Sequence, residues 1–414
     1  MQTVHTSICD QCKNARPARA LNESEVQAGT ALGTNAKYSP PPTSDQHRRA
    51  ARALRFKALS QAHRWLVARA GAPTQAVPYP LNNYRTAKCV YVNHGDVAVM
   101  RSVEHGSAHY KGLTTCGSVW ACPVCAAKIQ ERRRAEIVEA IEWAKEVGLT
   151  PVMVTFTFPH KSFHKLKPML AQQADAFKRL RKGRNWDEVK ESVGYAGLIR
   201  SLEVTHGENG WHPHTHELWF MKTPSALSKE RLTVLWGNAC RKAGLLTEDP
   251  TQLAAFNKHS VDVRIASDTV GEYLAKQDNS RAWGAADEIA KATSKAGKQS
   301  GVHPHQFLIR ATYRDRELYI DYVEGMKGKR QIFWSRGLKA AVGIGEMTDE
   351  EIAEKADEPS VELGRITADE WKIIRGNDAF VKPLEAAERG GWAAVQALID
   401  ALRPDPIQPL AMDC

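Results

Sequence analysis

Residues 210–220 read GWHPHTHELWF, with His212, His214 and His216 at alternate positions. Successive side chains of an extended strand point to opposite faces, so a strand here puts all three imidazoles on one face. Imidazole is a ligand for borderline transition metals, and a few converging nitrogens with open coordination positions describe a catalytic site better than a closed structural one. The preceding run SLEVTHGENG carries Glu203 and ends in turn residues, which predicts a hairpin. A two-residue turn at Asn209 and Gly210 pairs Glu203 with His216, and one at Glu208 and Asn209 pairs it with His214. Either register puts Glu203 on the histidine face, whereas a three-residue loop sets it opposite Thr215. The expected metal residues are therefore His214, His216, His212 and Glu203, with the third ligand open between Glu203 and His212.

Around this hairpin, strand-like and helix-like segments alternate from about 85 to 340. CVYVNHGDVAVMRSV predicts two strands around a turn at Asn93–Asp96, and PVMVTFTF (Pro151–Phe158) is a β-branched and aromatic strand. Apolar residues at helical spacing mark Lys128–Val147, Pro168–Lys182 and Lys229–Ala243. This pattern predicts an α+β fold with a central, mainly antiparallel sheet flanked by helices. Residues 1–80 read as a flexible basic arm with one amphipathic helix, whose apolar face is Leu54, Leu59, Trp65 and Leu66 and whose cations are Arg48, Arg49, Arg52, Arg55 and Lys57. Residues 345–414 are rich in Glu, Asp and Ala and predict a helical C-terminal appendage.

Cys116, Cys122 and Cys125 crowd into TCGSVWACPVC. In a chain expected to be cytosolic, that density predicts metal ligation rather than disulfides. Cys89 is the expected fourth ligand of a structural zinc, with Cys9 and Cys12 as substitutes. The zinc-knuckle-like cluster, residues 89–125, is assigned to the 85–340 domain.

Lys and Arg total 57 against 47 Asp and Glu, a net charge of +10, which favours a polyanionic partner. Lys327, Lys329, Arg330 and Arg336 are candidate phosphate contacts, while Tyr319 and Tyr322 read as core residues of a strand. No run nears the roughly 18 apolar residues of a membrane span, and the expected location is the cytoplasm.

About sixty residues beyond the hairpin lies VDVRIASDTVGEYLAKQDNS, read as a strand (Val261–Ile265) and then a helix. Tyr273 and Lys276 share a helix face at i and i+3, and Glu272 is spaced to pair with Lys276. A cation beside a phenol favours its nucleophilic anion.

Taken together, the VTFTFPH strand, the HTH strand within HPHTHEL and the EYLAKQ helix resemble the HUH endonucleases, and among them the plasmid rolling-circle Rep initiators. CGSVWACPVC and WSRGL (Trp334–Leu338) are similar to Rep features as well. The resemblance covers roughly Lys88–Leu338 and departs in two respects: Thr215 stands between the ligands, where the family usually has a bulky apolar residue, and no YxxxY surrounds Tyr273, where some related proteins use a second tyrosine for the closing cut. It implies nicking of one strand of origin DNA, single-stranded and double-stranded, with Mg2+ or Mn2+ at the histidines. It also implies Tyr273 as nucleophile, a 5'-phosphotyrosine link, and a 3'-hydroxyl primer for host helicase and polymerase. Lys276 matches a lysine of the tyrosine helix, and Glu272 or Asp268 is placed to activate the second step. Alternatives are a relaxase or tyrosine transposase of the same superfamily and, from another class, a non-enzymatic zinc-stabilised DNA-binding regulator.

Overall fold

The structure, a computed structural model, describes residues 45–70, 84–265, 301–355 and 359–403. They form two compact units: one of residues 127–348, the other assembled from 44–126 together with 349–414.

The unit of residues 127–348 is built on a five-stranded sheet. Its strands are β3 (Thr150–Phe156), β4 (Tyr195–Gly207), β5 (Gly210–Met221), β6 (Val261–Ile265) and β7 (Ile332–Trp334), in the order β6-β3-β5-β4-β7. Every pairing is antiparallel. The sheet is covered on both faces. Phe156, Phe177 and Trp236 pack edge-on or tilted between it and α3 (Leu166–Leu180) and α5 (Lys229–Lys242). On the other face Leu218 and Phe220 join Ile137, Ala140 and Ala144 of α2 (Pro123–Glu146), in a core completed by Leu338 and Val342.

On the first of these faces Glu217 is fully buried and contacts Arg181 and Arg200, the latter at 2.7 Å, while Trp219 Nε1 donates to it at 2.8 Å. Burial opposes ionisation of this carboxyl, yet the two guanidinium groups hold it below its usual range. The remaining helices of the unit are α4 (Arg184–Val193), α6 (Pro250–His259), α7 (His305–Arg310), α8 (Tyr313–Met326) and α9 (Leu338–Val342). Tyr319 and Tyr322 are buried, as a core role requires, but on helix α8 rather than on a strand. The capping box of Thr312 and Asp315 starts that helix.

The other unit holds a three-stranded antiparallel sheet of β1 (Asn93–Ser102), β2 (Ala108–Leu113) and β8 (Ser360–Ile366), in the order β2-β1-β8. Two expectations change here. The turn predicted at Asn93–Asp96 lies inside β1, because residues 89–92 belong to the cysteine segment, where Val90 takes φ 68°. The C-terminal region carries its expected helices, α10 (Asp349–Glu354), α11 (Ala368–Gly376) and α12 (Lys382–Leu402, broken at Gly390–Gly391), but also contributes β8. Pairing of β8 with β1 brings residues 360–366 into the sheet of residues 93–113, so the compact units interleave along the chain.

Helix α1 (Asp45–Ala70) buries Leu59, Trp65 and Leu66, and Arg49 and Arg52 pair with Glu388. Part of its cationic face is therefore spent within the fold. No helix among the described residues is long and apolar enough to cross a membrane.

Candidate metal centre

The β4–β5 hairpin closes with Gly207 opposite Gly210, so the turn is Glu208–Asn209 and Glu203 pairs with His214. Thr205 then faces His212 and Ser201 faces His216. Gly210 takes φ +79°, and a Cβ there would lie 2.9 Å from the Cα of Ser162. Only glycine meets both conditions, which ties the hairpin tip to the loop after β3.

Glu203, His214 and His216 converge, and one potential ligand atom from each lies within 4.8 Å of the others. Glu203 Oε2 is 2.9 Å from His214 Nε2 and 3.5 Å from His216 Nε2. The distal nitrogens are engaged elsewhere: His216 Nδ1 meets Thr155 Oγ1 at 2.9 Å, and His214 Nδ1 lies 3.4 Å from the His212 carbonyl. Hydroxyl and carbonyl partners behind a metal-binding imidazole fix its tautomer and leave Nε2 for the metal. Burial works against the Glu203 anion, but hydrogen bonds and charge from His214 and His216 hold its carboxyl well below the usual range. Burial lowers the His216 imidazole, with Glu203 opposing. Two nitrogens and a carboxylate oxygen leave open positions for water or substrate.

His212 is on the same face, but its Nδ1 is engaged by His160 Nε2 at 2.5 Å. Burial, then the charges of His214 and His160, push it down to about 4. Two nearby histidines were not singled out from the sequence. His160 closes the VTFTFPH motif and lies in the loop just beyond β3, the strand that carries Thr155. His303 follows Val302, which bridges to His206 beside β4. Burial pushes His303 down to about 4 against the charge of Glu203. The repeat of H-P-H at 212–214 and 303–305 was the available signal.

Thr215 points away from the histidines and is buried, its hydroxyl accepting from Gln173 Nε2 at 3.0 Å. The polar residue between the histidines is thus satisfied by α3. Lys327, Arg330 and Arg336 are exposed and Lys329 is half-buried. Tyr273, Lys276, Glu272 and Asp268 lie outside the described residues, as do Cys9 and Cys12.

In the other unit Cys89, Cys116, Cys122 and Cys125 form a second group able to hold a metal, all four buried and free of disulfides. Sγ separations are 3.6 Å for Cys89–Cys125 and Cys122–Cys89, and 3.7 Å for Cys116–Cys125. Zinc–sulfur bonds of about 2.3 Å in a tetrahedron place sulfurs roughly 3.7 Å apart, so the donor set fits. Backbone N–H groups of Ser118 and Cys125 point at Cys116 and Cys122, both at 3.4 Å.

No solved structure matches the chain. Among curated proteins it is similar to "Protein rep" of Streptomyces lividans, 27% identical over 356 residues that cover 68% of this chain and 77% of that one. It is also similar to a "Neomycin resistance protein" of Streptomyces cyanogenus, 34% identical over 139 residues covering 27% of this chain and 32% of that protein. A family model described as "Replication protein" matches residues 111–375, a span that takes in both histidine-bearing strands of the hairpin face and most of the cysteine cluster. With well over half of its length matched, the chain belongs to the replication-protein family, as its resemblance to the plasmid Rep initiators implies.

Proposed function

We propose that this protein initiates plasmid rolling-circle replication by nicking one strand of the origin through a tyrosine transesterification. The observation that carries the proposal is the convergence of Glu203, His214 and His216 on one sheet face, with their distal nitrogens already held by Thr155 and the His212 carbonyl. These three residues would hold a divalent ion, Mg2+ or Mn2+, which supplies Lewis-acid polarisation of the scissile phosphate.

The chain's own part is nucleophile, orientation and proton handling. The Tyr273 phenol oxygen attacks phosphorus and gives up its proton. A P–O bond to the tyrosine forms as the bond to the 3' oxygen breaks, and that oxygen leaves protonated as the 3'-hydroxyl. Lys276, one turn along the same predicted helix, favours the phenolate and balances phosphate charge. Glu272 or Asp268 accepts the proton of the second nucleophile when the phosphotyrosine is resolved. The free 3'-hydroxyl then serves a host polymerase behind a helicase, in the cytoplasm.

The cysteine cluster would hold a structural Zn2+. Four thiolates close the coordination sphere, so its role is to brace the fold rather than to react.

The test is incubation with single-stranded origin DNA and Mn2+, followed by denaturing electrophoresis. A covalent protein–DNA adduct is expected, lost with chelator, with His216→Ala and with Tyr273→Phe. A wild-type protein that binds origin DNA but never forms the adduct would instead be a non-enzymatic regulator. Plasmid maintenance by the adduct-forming protein separates initiation from transfer.

A further inference from the structure

The loop between β3 and α3, residues 159–165, is fastened to the tip of the histidine hairpin. A carbonyl can only accept, so His160 Nδ1–H donates to the Asn209 carbonyl at 3.0 Å. Its Nε2 is then the acceptor for His212 Nδ1–H at 2.5 Å. The close approach of Gly210 to the Ser162 backbone supplies a third fastening. The loop closes on itself through His164, whose backbone N–H donates to the Lys161 carbonyl at 3.0 Å and whose Nδ1 accepts from the Lys161 N–H at 3.2 Å.

What this rigid loop presents to solvent is unusual. Phe163 is 72% exposed, its ring touching only the edge of His164 among the ring contacts, at 4.8 Å between centroids. Lys161, Lys165 and Lys167 are exposed and make no ion pair among the described residues. No Asp or Glu occurs between Glu146 and Asp175. An exposed aromatic ring gains nothing from water, and an unopposed run of lysines repels itself. Both are accounted for by a ligand carrying flat apolar faces and regularly spaced negative charge. The loop is also one ring away from the metal residues, since His212, which it fastens, lies 5.1 Å from His214 between ring centroids.

We propose that this loop is a single-strand DNA clamp in which Phe163 stacks on an unpaired base and Lys161, Lys165 and Lys167 neutralise the flanking phosphates. The His160–Asn209 and His160–His212 hydrogen bonds hold that clamp in register with the histidine face. The proposal rests on the nicking function only in taking DNA as the substrate at that face. Base stacking needs an open π-face, which a duplex does not offer within its length, so the clamp discriminates single strands from duplex.

The test is fluorescence anisotropy of the full chain with a labelled single-stranded oligonucleotide, and with the same oligonucleotide annealed to its complement, across a salt series. Phe163→Ala is expected to weaken single-strand binding about ten-fold, to leave duplex binding unchanged, and to keep the melting temperature of the wild type. Phe163→Trp should bind as wild type. Replacing Lys161, Lys165 and Lys167 by Gln should make the slope of log affinity against log salt shallower by about 2, at about 0.7 per phosphate. Wild-type affinity of Phe163→Ala for single strands, or an equal loss on single strand and duplex, overturns the proposal. A Phe163 effect in a protein that never forms the covalent adduct sinks the nicking function alone. An adduct formed with unaltered single-strand affinity in Phe163→Ala sinks the clamp alone.

Discussion

At the scale of single residues, each polar side chain of β5 from His212 to Glu217 has a hydrogen-bond partner. Thr215 is the clearest case: it is turned from the histidine face and hydrogen-bonded to a buried Gln173. Thr215→Val should therefore cost about 1–3 kcal/mol, the penalty for leaving the Gln173 amide unpaired. The double variant Thr215→Val with Gln173→Leu should recover most of that loss in urea unfolding. Equal stability of wild type and Thr215→Val would show that the hydrogen bond carries no weight.

The buried imidazoles give the protein a pH dependence of definite sign. Burial first, then neighbouring charge, holds His212 down to about 4, and burial holds His303 there too, from an unfolded value of 6.5. The unfolded chain thus takes up protons that the folded one refuses, so stability is full above 6.5 and falls as pH drops towards about 4. Melting temperatures of metal-stripped protein across that window should decline, and His303→Gln should make the decline shallower. A flat profile in both proteins would contradict these burial-driven shifts.

The alternation of His212, His214 and His216 was legible because a period of two says which side chains share a face. Which histidine Glu203 stands opposite is not settled by it, since two turns fit the same residues; the structure has the Glu208–Asn209 turn, which pairs Glu203 with His214. His160 and His303 reach the face from other segments, so strand alternation does not place them there; the VTFTFPH motif and the repeated H-P-H are the only marks they carry.

At the scale of elements, β5 joins two different environments across one strand. Its even positions carry the histidines and then Leu218 and Phe220, while its odd positions carry Thr215 against α3, Trp219 against Trp186 of α4, and Glu217. Glu217 is buried between Arg181 and Arg200. Removing it strands buried guanidinium charge, so Glu217→Ala should lose roughly 3–5 kcal/mol in denaturant unfolding. A loss under about 1 kcal/mol would mean that solvent already reaches the arginines and screens them.

Helices with clean apolar spacing, α3 and α5, were foreseen almost to the residue, because a 3.6-residue period is strong over four turns. The segment around Tyr319 and Tyr322 reads as a strand in sequence yet is a helix, since aromatic and β-branched residues also suit a buried helix face, and the capping box at Thr312 is the stronger signal. Strand β8 was missed because SVELGRI has little apolar alternation and becomes a strand by pairing with β1.

At the scale of the molecule, the chain builds one compact unit from residues distant in sequence and inserts the other between them. The cysteine cluster lies wholly within the discontinuous unit. A metal there would tie residue 89 to the 116–125 segment, so its binding energy becomes folding energy. Purified protein should contain one tightly held zinc, by atomic absorption, that Cys116→Ser lacks. Strong chelation should lower the melting temperature of the wild type while leaving Cys116→Ser unaffected. Wild-type metal content in Cys116→Ser would exclude the cluster as its site.

The central claim is that Tyr273 attacks DNA beside a metal held by Glu203, His214 and His216. Its most direct test is mass-spectrometric mapping of the peptide linked to DNA after reaction with single-stranded origin DNA and Mn2+. The account predicts one linked peptide, spanning Tyr273 and carrying a 5'-phosphate ester, absent from Glu203→Ala. A link at any other residue, or the same link formed undiminished by Glu203→Ala, would contradict it.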